Sequence, residues 1–169
     1  MAALNEVLRN MNLIVDGTGY AGTVNEVTPP KLTIKTEEVR FGGMDAPVEM
    51  DMGMEKLTME YSLASYDADV YKRFGLKMGA NVQHTLKGAM EDRNGTVSSH
   101  VIHAQGKIVE IDEGNWKAGQ QVEVKIKISL VYYKRERDAE VLCEIDVENN
   151  KRIIGGVNQL EAINNAIGI

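Results

Sequence analysis

The chain contains one cysteine, three prolines, one tryptophan and two phenylalanines in 169 residues, and it has no long apolar run. Cys143 therefore has no partner for an internal disulfide, and in Val-Leu-Cys-Glu-Ile it is typical of a small buried apolar residue. A membrane-spanning helix needs about 18 consecutive apolar residues and a secretory signal needs a shorter apolar stretch near its start, and neither pattern occurs. We expect a soluble cytoplasmic product without a membrane anchor.

An excess of basic residues is also missing. The chain has 19 Lys and Arg against 25 Asp and Glu, which gives a net charge of −6. Proteins that bind nucleic acid through its phosphates carry clustered Lys and Arg, so this balance argues against general nucleic-acid binding. The length fits a single domain over residues 1–169, which is long enough to bury roughly two thirds of the surface that the unfolded chain exposes.

The sequence shows no set of residues typical of a catalytic, metal or cofactor site. Gly17–Gly22 has the spacing of a dinucleotide-binding turn, but Thr23–Thr28 after it is β-prone and two prolines follow, so a hairpin turn is favoured. His100 and His103 are three residues apart in a strand-like segment, which puts them on opposite faces, and His84 is isolated. We predict a protein that is not an enzyme and that uses no cofactor or metal ion.

Alternation of apolar and polar residues dominates the chain and predicts a mainly β fold. The clearest case starts at Val122, where every second residue up to Tyr132 is apolar, as in a long half-buried strand. The opposite face of this strand begins with polar residues: Glu123, Lys125, Lys127 and Ser129. Further strands are predicted at residues 12–16, 23–28, 31–40, 48–63, 81–90, 97–111 and 140–147.

Two short segments have helical spacing. The first is Ser65–Phe74, in which Ser65 can cap the first turn. The second covers about residues 158–166, where Asn158 and Glu161 are spaced like a capping box. Helices of this length are unstable alone, so we expect both to be held by packing.

The segment Gly42–Leu57 combines strand alternation with a methionine face. In an extended chain Glu49 and Asp51 point to one side, and the other side carries Val48, Met50, Met52 and Met54. After Met54 the apolar set moves from even to odd positions, which predicts a bulge or bend near Glu55 and Lys56. Methionine adapts to irregular contacts and is common on surfaces that bind a partner, although the same pattern suits an ordinary buried strand.

Taken together, these segments resemble the major tail tube proteins of contractile-tailed bacteriophages and R-type pyocins, the FII-like family, over nearly the whole chain. The blocks that carry the resemblance follow one order along the sequence: Asn12–Gly17, Pro30–Leu32, Gly42–Val48, Asp51–Glu55, Trp116–Gly119, Tyr132–Lys134, Glu144–Asp146, Gly156–Leu160 and Ile167–Ile169. One departure is Ile163-Asn-Asn-Ala in the last helix, where relatives often carry a basic residue.

The resemblance implies a β-sandwich or half-barrel subunit with one or two short helices, which closes into a hexameric β-barrel ring. Rings would stack into a tube that conducts DNA or pierces a cell envelope when a sheath contracts. The implied stacking element is an arm at about residues 42–55, with these contact residues: Gly42, Gly43, Met44, Asp45, Met50, Met52, Gly53 and Met54. Glu123, Lys125, Lys127 and Ser129 are candidates for the channel lining, where any acidic residues would repel DNA phosphates.

The implied partners are other copies of the chain, a tail sheath protein, a tape measure protein, and baseplate and tail terminator proteins. DNA would pass without sequence-specific binding, and the subunit would assemble in the cytoplasm of a bacterial host into the tail of a virion or phage-tail-like particle. Two alternatives stay open at this point. One is the tube protein of another contractile injection or secretion machine, and the other is a soluble ligand-binding β-barrel.

Overall fold

A computed structural model describes residues 5–169. The first four residues belong to the predicted single domain and to the segment searched for a secretory signal. They lie outside the described part. Within residues 5–169 the structure has twelve strands and two helices. The strands are β1 Glu6–Val15, β2 Thr18–Gly19, β3 Val24–Thr28, β4 Ile34–Val39, β5 Val48–Met54, β6 Thr58–Leu63, β7 Val82–Asp92, β8 Val97–Asp112, β9 Val124–Arg137, β10 Glu140–Asp146, β11 Lys151–Ile154 and β12 Val157–Asn158. The helices are α1 Ala68–Lys72 and α2 Glu161–Ile167.

Strand β9 is the centre of a ten-stranded antiparallel sheet. Along one edge it pairs with β8, and along the other its first half pairs with β6 and its second half with β10. The sheet continues from β8 through β7 and β1 to β2, and from β10 through β11 to β12, while β3 pairs with β6. The predicted mainly β fold is confirmed.

The sheet curls back on itself and encloses one core. Strands β6 and β7 are separated by β9 and β8 in the hydrogen-bonded order, yet the rings of Tyr61 on β6 and His84 on β7 have centroids 5.8 Å apart. Apolar side chains from both sides fill the space between them, among them Leu13, Val15, Met59, Leu86, Ile108, Ile126 and Ile128. Because segments of one sheet face each other across a shared core, the subunit has the predicted half-barrel form.

A β-bulge between β8 and β9 allows part of this curvature and depends on Gly106. Gln105 pairs with Tyr132 but the next residue, Gly106, pairs with Leu130, so β9 carries one extra residue. A Cβ atom at position 106 would lie 2.2 Å from the carbonyl oxygen of Ser129. Only glycine allows the two backbones to approach this closely.

The bulge also changes which residues of β9 face the core. Up to Leu130 the even positions are buried, and beyond the bulge Tyr133 is buried instead. The prediction that Tyr132 shares the buried face is therefore wrong. Its hydroxyl lies on the other side and donates to a carboxylate oxygen of Glu144 at 2.9 Å. Burial and this carboxylate together raise the pKa of Tyr132 to about 12.

Residues 34–54 form a separate hairpin, which we call the arm. Its strands β4 and β5 pair with each other in a two-stranded sheet and do not join the ten-stranded sheet. Gly43 has a φ of +87° in the turn between them, a conformation that suits glycine. The predicted bend near Glu55 and Lys56 is the place where the chain leaves the arm and enters β6.

Both helices differ in detail from the sequence prediction. Helix α1 is capped by Asp67, whose carboxylate accepts hydrogen bonds from the N–H groups of Asp69 and Val70, and not by Ser65. Helix α2 begins at Glu161, three residues after the predicted start, because Asn158 belongs to β12. The Asn158 side chain instead accepts a hydrogen bond from the N–H of Leu160 at 3.1 Å.

His84 is a polar residue inside the core. Its Nδ1 lies 3.1 Å from the carbonyl oxygen of Val82, while its Nε2 is buried without a hydrogen-bond partner among the described residues. Burial in these surroundings lowers the pKa of His84 to about 4. The histidine is therefore neutral in the folded subunit near neutral pH, and no metal-binding group forms around it within residues 5–169.

The contact at Gly106 predicts a sharp difference between two glycine substitutions. Gly106→Ala should lower the free energy of unfolding by about 1–3 kcal/mol, because the new methyl group overlaps the β9 backbone. Gly42→Ala is the matched control, since a Cβ there meets no atom within 4 Å, and its effect should stay within about 0.5 kcal/mol. Urea unfolding of both variants measures the difference, and equal midpoints would contradict the role of Gly106.

The buried His84 predicts a loss of stability in mild acid. Its pKa is near 6.5 when unfolded and about 4 when folded, so the unfolded state binds more protons between these values and stability falls as the pH drops through this window. The loss should reach at most roughly 3 kcal/mol. His84→Gln removes the buried imidazole and should flatten the pH dependence of the urea midpoint. Identical pH profiles for wild type and His84→Gln would refute the assignment.

Candidate assembly surfaces

The arm exposes the methionine face that the sequence pattern indicated. Met50 and Met52 are 48% and 51% exposed, Val48 is similarly exposed, and Phe41 in the turn is more so. Met54, at the base, packs against the core. In the subunit alone, Met50 and Met52 are therefore surface residues, which rules out the core interpretation for these two and leaves an apolar patch free for a partner.

The arm is longer than the predicted segment 42–55, since it includes β4 as its second strand. Of the predicted contact residues, Gly42, Gly43, Met44 and Asp45 lie in the turn, and Met50, Met52, Gly53 and Met54 lie on β5. The β-prone run at residues 34–39 before Gly42-Gly43 was the available signal for a hairpin, because two strand patterns separated by glycines favour one.

Asp51 connects the arm to the body of the subunit. One carboxylate oxygen accepts a hydrogen bond from the N–H of Gly53 at 2.8 Å, and the other lies 2.8 Å from Nη2 of Arg152 on β11. The Gly53 N–H and then the Arg152 guanidinium hold the pKa of the Asp51 carboxyl below its usual value. No sequence pattern pointed to Arg152, which is 101 residues away from Asp51 along the chain.

A polar face lies on the outer side of β9 and its two neighbours, opposite the buried Val124, Ile126 and Ile128. Of the predicted channel residues, Lys125, Lys127 and Ser129 share this face, and Glu123 lies just before β9 with the same alternation. Lys125, Lys127 and Ser129 are paired across the strands with Ser62, Glu60 and Thr58 of β6, in that order. The structure thus brings these residues together on one surface.

The charges on this polar face alternate in sign. Lys127 is paired with Glu60 on one side and with Glu110 of β8 on the other, and its Nζ lies 3.6 Å from Oε1 of Glu60. Lys125 is paired with Asp112 of β8. Because each lysine has an acidic cross-strand neighbour, the face is neither strongly acidic nor strongly basic.

Helix α2 turns its apolar side away from the body. None of its residues is buried, and Ile163 and Ile167, four residues apart on one face, are 55% and 64% exposed. Asn164 attaches the helix to the body, since its Nδ2 donates to the carbonyl oxygen of Asn150 at 3.0 Å. A polar attachment with isoleucines outside is the reverse of an ordinary surface helix and indicates a second apolar patch.

Other surface features are less organised. The loop between β8 and β9 carries an exposed Trp116, which packs on Tyr66 with ring centroids 5.7 Å apart beside a cleft of about 580 Å³. Within the described residues, no cluster of three or more His, Cys, Asp and Glu residues could hold a metal ion. In that same part of the chain, no helix has the length and apolar character needed to cross a membrane.

The amino-acid sequence matches the family model of the phage tail tube protein FII over residues 5–168. The chain belongs to this family. It is 33% identical over 172 residues to the tail tube protein of Escherichia phage P2, in an alignment that covers 99% of both chains. It is 34% identical over 149 residues to the major tail tube protein of Serratia phage KSP20, covering 87% of this chain and 86% of the relative.

The fold of this FII-family chain is also found in a solved structure. A chain of the sheath-tube complex of the PVC extracellular contractile injection system, in its extended state, superposes with a TM-score of 0.57. The match has 11% sequence identity and covers 75% of this chain and 87% of that chain, so it concerns the fold alone. The predicted role is confirmed: the chain is a structural tail tube protein and a component of the tail of a phage or phage-tail-like particle.

Proposed function

We propose that this tail tube protein closes into six-membered rings and that the arm bridges each ring to the next in a hollow tube. The observation that carries the proposal is the arm itself, a hairpin that joins no other strand of the described part of the chain and exposes Val48, Met50 and Met52. A two-stranded hairpin is only marginally stable alone, and covering its apolar residues adds stability. A second copy of the subunit supplies that cover in a stacked assembly.

The open edges of the sheet support ring closure. The ten-stranded sheet ends at β12 on one side and at β2 on the other, and it curls without closing within one subunit. Identical subunits joined head to tail form a ring when the rotation closes, and closure of a sheet into a barrel removes exposed edges. The number of six subunits follows the family resemblance.

The polar face of β9, with Glu123, Lys125, Lys127 and Ser129, is the proposed channel lining. Acidic residues in a channel would repel DNA phosphates, but here acidic and basic residues alternate across the strands. Each lysine has an acidic neighbour, so passing DNA meets no continuous basic surface that would hold its phosphates. This arrangement suits a channel through which DNA moves without sequence-specific binding.

The proposed partners follow from the same assembly. In the PVC structure the tube is in complex with a sheath, and we assign a tail sheath protein to the outside of this tube. Baseplate and tail terminator proteins would bound the tube at its ends, and a tape measure protein would occupy the channel before DNA passes. The subunits would assemble in the cytoplasm of the bacterial host.

A tube that conducts DNA in a phage is favoured over the tube of another contractile injection machine. Both relatives with more than 30% identity are phage proteins, whereas the likeness to the injection system rests on the fold. Family membership, covering residues 5–168, argues against a ligand-binding β-barrel.

Replacing the exposed methionines of the arm should prevent stacking without unfolding the subunit. Met50→Ser combined with Met52→Ser removes apolar contact area from a surface that is free in the single subunit. Negative-stain electron microscopy across a concentration series should show tubes for the wild type, and rings or subunits for the double variant.

Met78→Ser is the control for this experiment, because Met78 is the most exposed large apolar residue within residues 5–169 and lies outside the arm. Its tubes should match those of the wild type. Unchanged tube length and yield in the double variant would exclude the arm as the stacking element. A wild type that forms neither rings nor tubes, even with its baseplate and tape measure proteins, would overturn the tube assembly itself.

Chemical accessibility tests the channel lining. In a Cys143→Ala background, Lys127→Cys should react with a small maleimide both before and after tube assembly, because small molecules enter a channel. A maleimide carried on a large globular protein should react only before assembly, and Met78→Cys gives the reference for an exposed position outside the proposed lining. Equal reaction of the large reagent with Lys127→Cys in tubes and in subunits would place β9 outside the channel.

A further inference from the structure

The arm has few connections to the body of the subunit. Its strands pair only with each other, and within residues 5–169 its one ion pair to the body joins Asp51 to Arg152. Below the arm base lies a cleft of about 390 Å³ between the arm, β10, the turn before β11 and Leu160. Met54 packs against the core at the arm base, but the cleft beside it is open, so side-chain packing does not by itself fix the angle at which the arm leaves the body.

Asp51 is placed where the arm bends. Gly53, two residues later, has a φ of +96°, and the pairing of β5 with β4 changes register between Ile34 and Thr36. The Gly53 N–H donates to one Asp51 oxygen, which fixes the carboxylate relative to this bend. The second oxygen is thereby directed to Arg152 at 2.8 Å. A rotation of the arm about the bend would break this contact.

Arg152 is held firmly on the other side. Its side chain is only 14% exposed, and both its backbone polar groups are hydrogen-bonded. Its carbonyl oxygen accepts a hydrogen bond from the N–H of Gln159 at 2.8 Å. Its own N–H lies 3.3 Å from Oδ1 of Asn158. A partly desolvated guanidinium needs an acidic partner, so the arm position that provides Asp51 is favoured over others.

We propose that Asp51 and Arg152 are positioning residues that set the angle of the arm in the free subunit, so that its methionine face is presented for stacking before the next ring arrives. The stacking role rests on the proposed tube assembly, but the angle is a property of the single subunit. Preorganisation of this kind reduces the entropy lost when the arm binds.

Spin labels measure the arm angle without any assembly. Cysteines at Ala46 in the arm turn and at Asn94 in the β7–β8 turn, in a Cys143→Ala background, carry the labels, and pulsed electron paramagnetic resonance gives the distance distribution between them. The labelled protein with Asp51 intact should give one narrow distribution of the distance between the two labels. Asp51→Asn keeps an acceptor for the Gly53 N–H but loses the negative charge that pairs with Arg152. Both Asp51→Asn and Arg152→Gln should therefore broaden the distance distribution.

The controls separate a specific contact from a general effect. Arg152→Lys keeps the charge and should retain more of the narrow distance than Arg152→Gln. Glu49→Gln, another acid of β5, should leave the distance unchanged. Combining Asp51→Asn with Arg152→Gln should be no worse than either alone, because both remove one interaction.

A narrow wild-type-like distance in Asp51→Asn, or equal broadening in Glu49→Gln, would overturn the positioning role. If the wild type forms no tubes but Asp51→Asn broadens the distance, the tube assembly fails and the positioning role stands. If the wild type forms tubes, Asp51→Asn should form fewer of them at the same concentration. Tubes equal in yield to those of the wild type would overturn the claim that the arm angle prepares the methionine face for stacking.

Discussion

Strand β9 pairs with three other strands, and these pairings determine where the core and the polar surface lie. Its first half is bonded to β6 and its second half to β10, while β8 follows its other edge. This division sends the chain to two sides of one core, with Val124, Ile126 and Ile128 facing inward. Side chains on the opposite face of the same strand must then lie outside the core. One pairing pattern therefore fixes both the core and the polar surface proposed for the channel.

The body and the arm are stabilised in different ways. The body buries large apolar side chains around β9. Burial of apolar surface is the dominant favourable contribution to folding. The arm has its own backbone hydrogen bonds but leaves Met50 and Met52 exposed, and it is joined to the body by the ion pair of Asp51 with Arg152. The core is thus formed within one subunit, while apolar residues of the arm stay unburied.

The distribution of charge has a different meaning in the structure than in the composition. A net charge of −6 suggested acidic repulsion along a channel, yet Lys125 and Lys127 lie between acidic residues of β6 and β8. Composition gives only the net charge, whereas the force on a passing phosphate depends on how positive and negative side chains are spaced across neighbouring strands. The polar face proposed for the channel therefore carries charges of both signs and not a large field of one sign.

Alternation of side chains along an extended chain is a local property, so the sequence predicted most of the strands, the turn in Gly17–Gly22 and the methionine face, but it missed the short strands β2, β11 and β12. It also identified Lys125, Lys127 and Ser129 as one polar face. It could not distinguish Met52 from Met59, which follow similar alternation, since exposure depends on what packs against each strand. The shift at Gly106 that buries Tyr133 and the contact of Asp51 with Arg152 were decided by tertiary structure, because both depend on residues far apart in the chain meeting at one place.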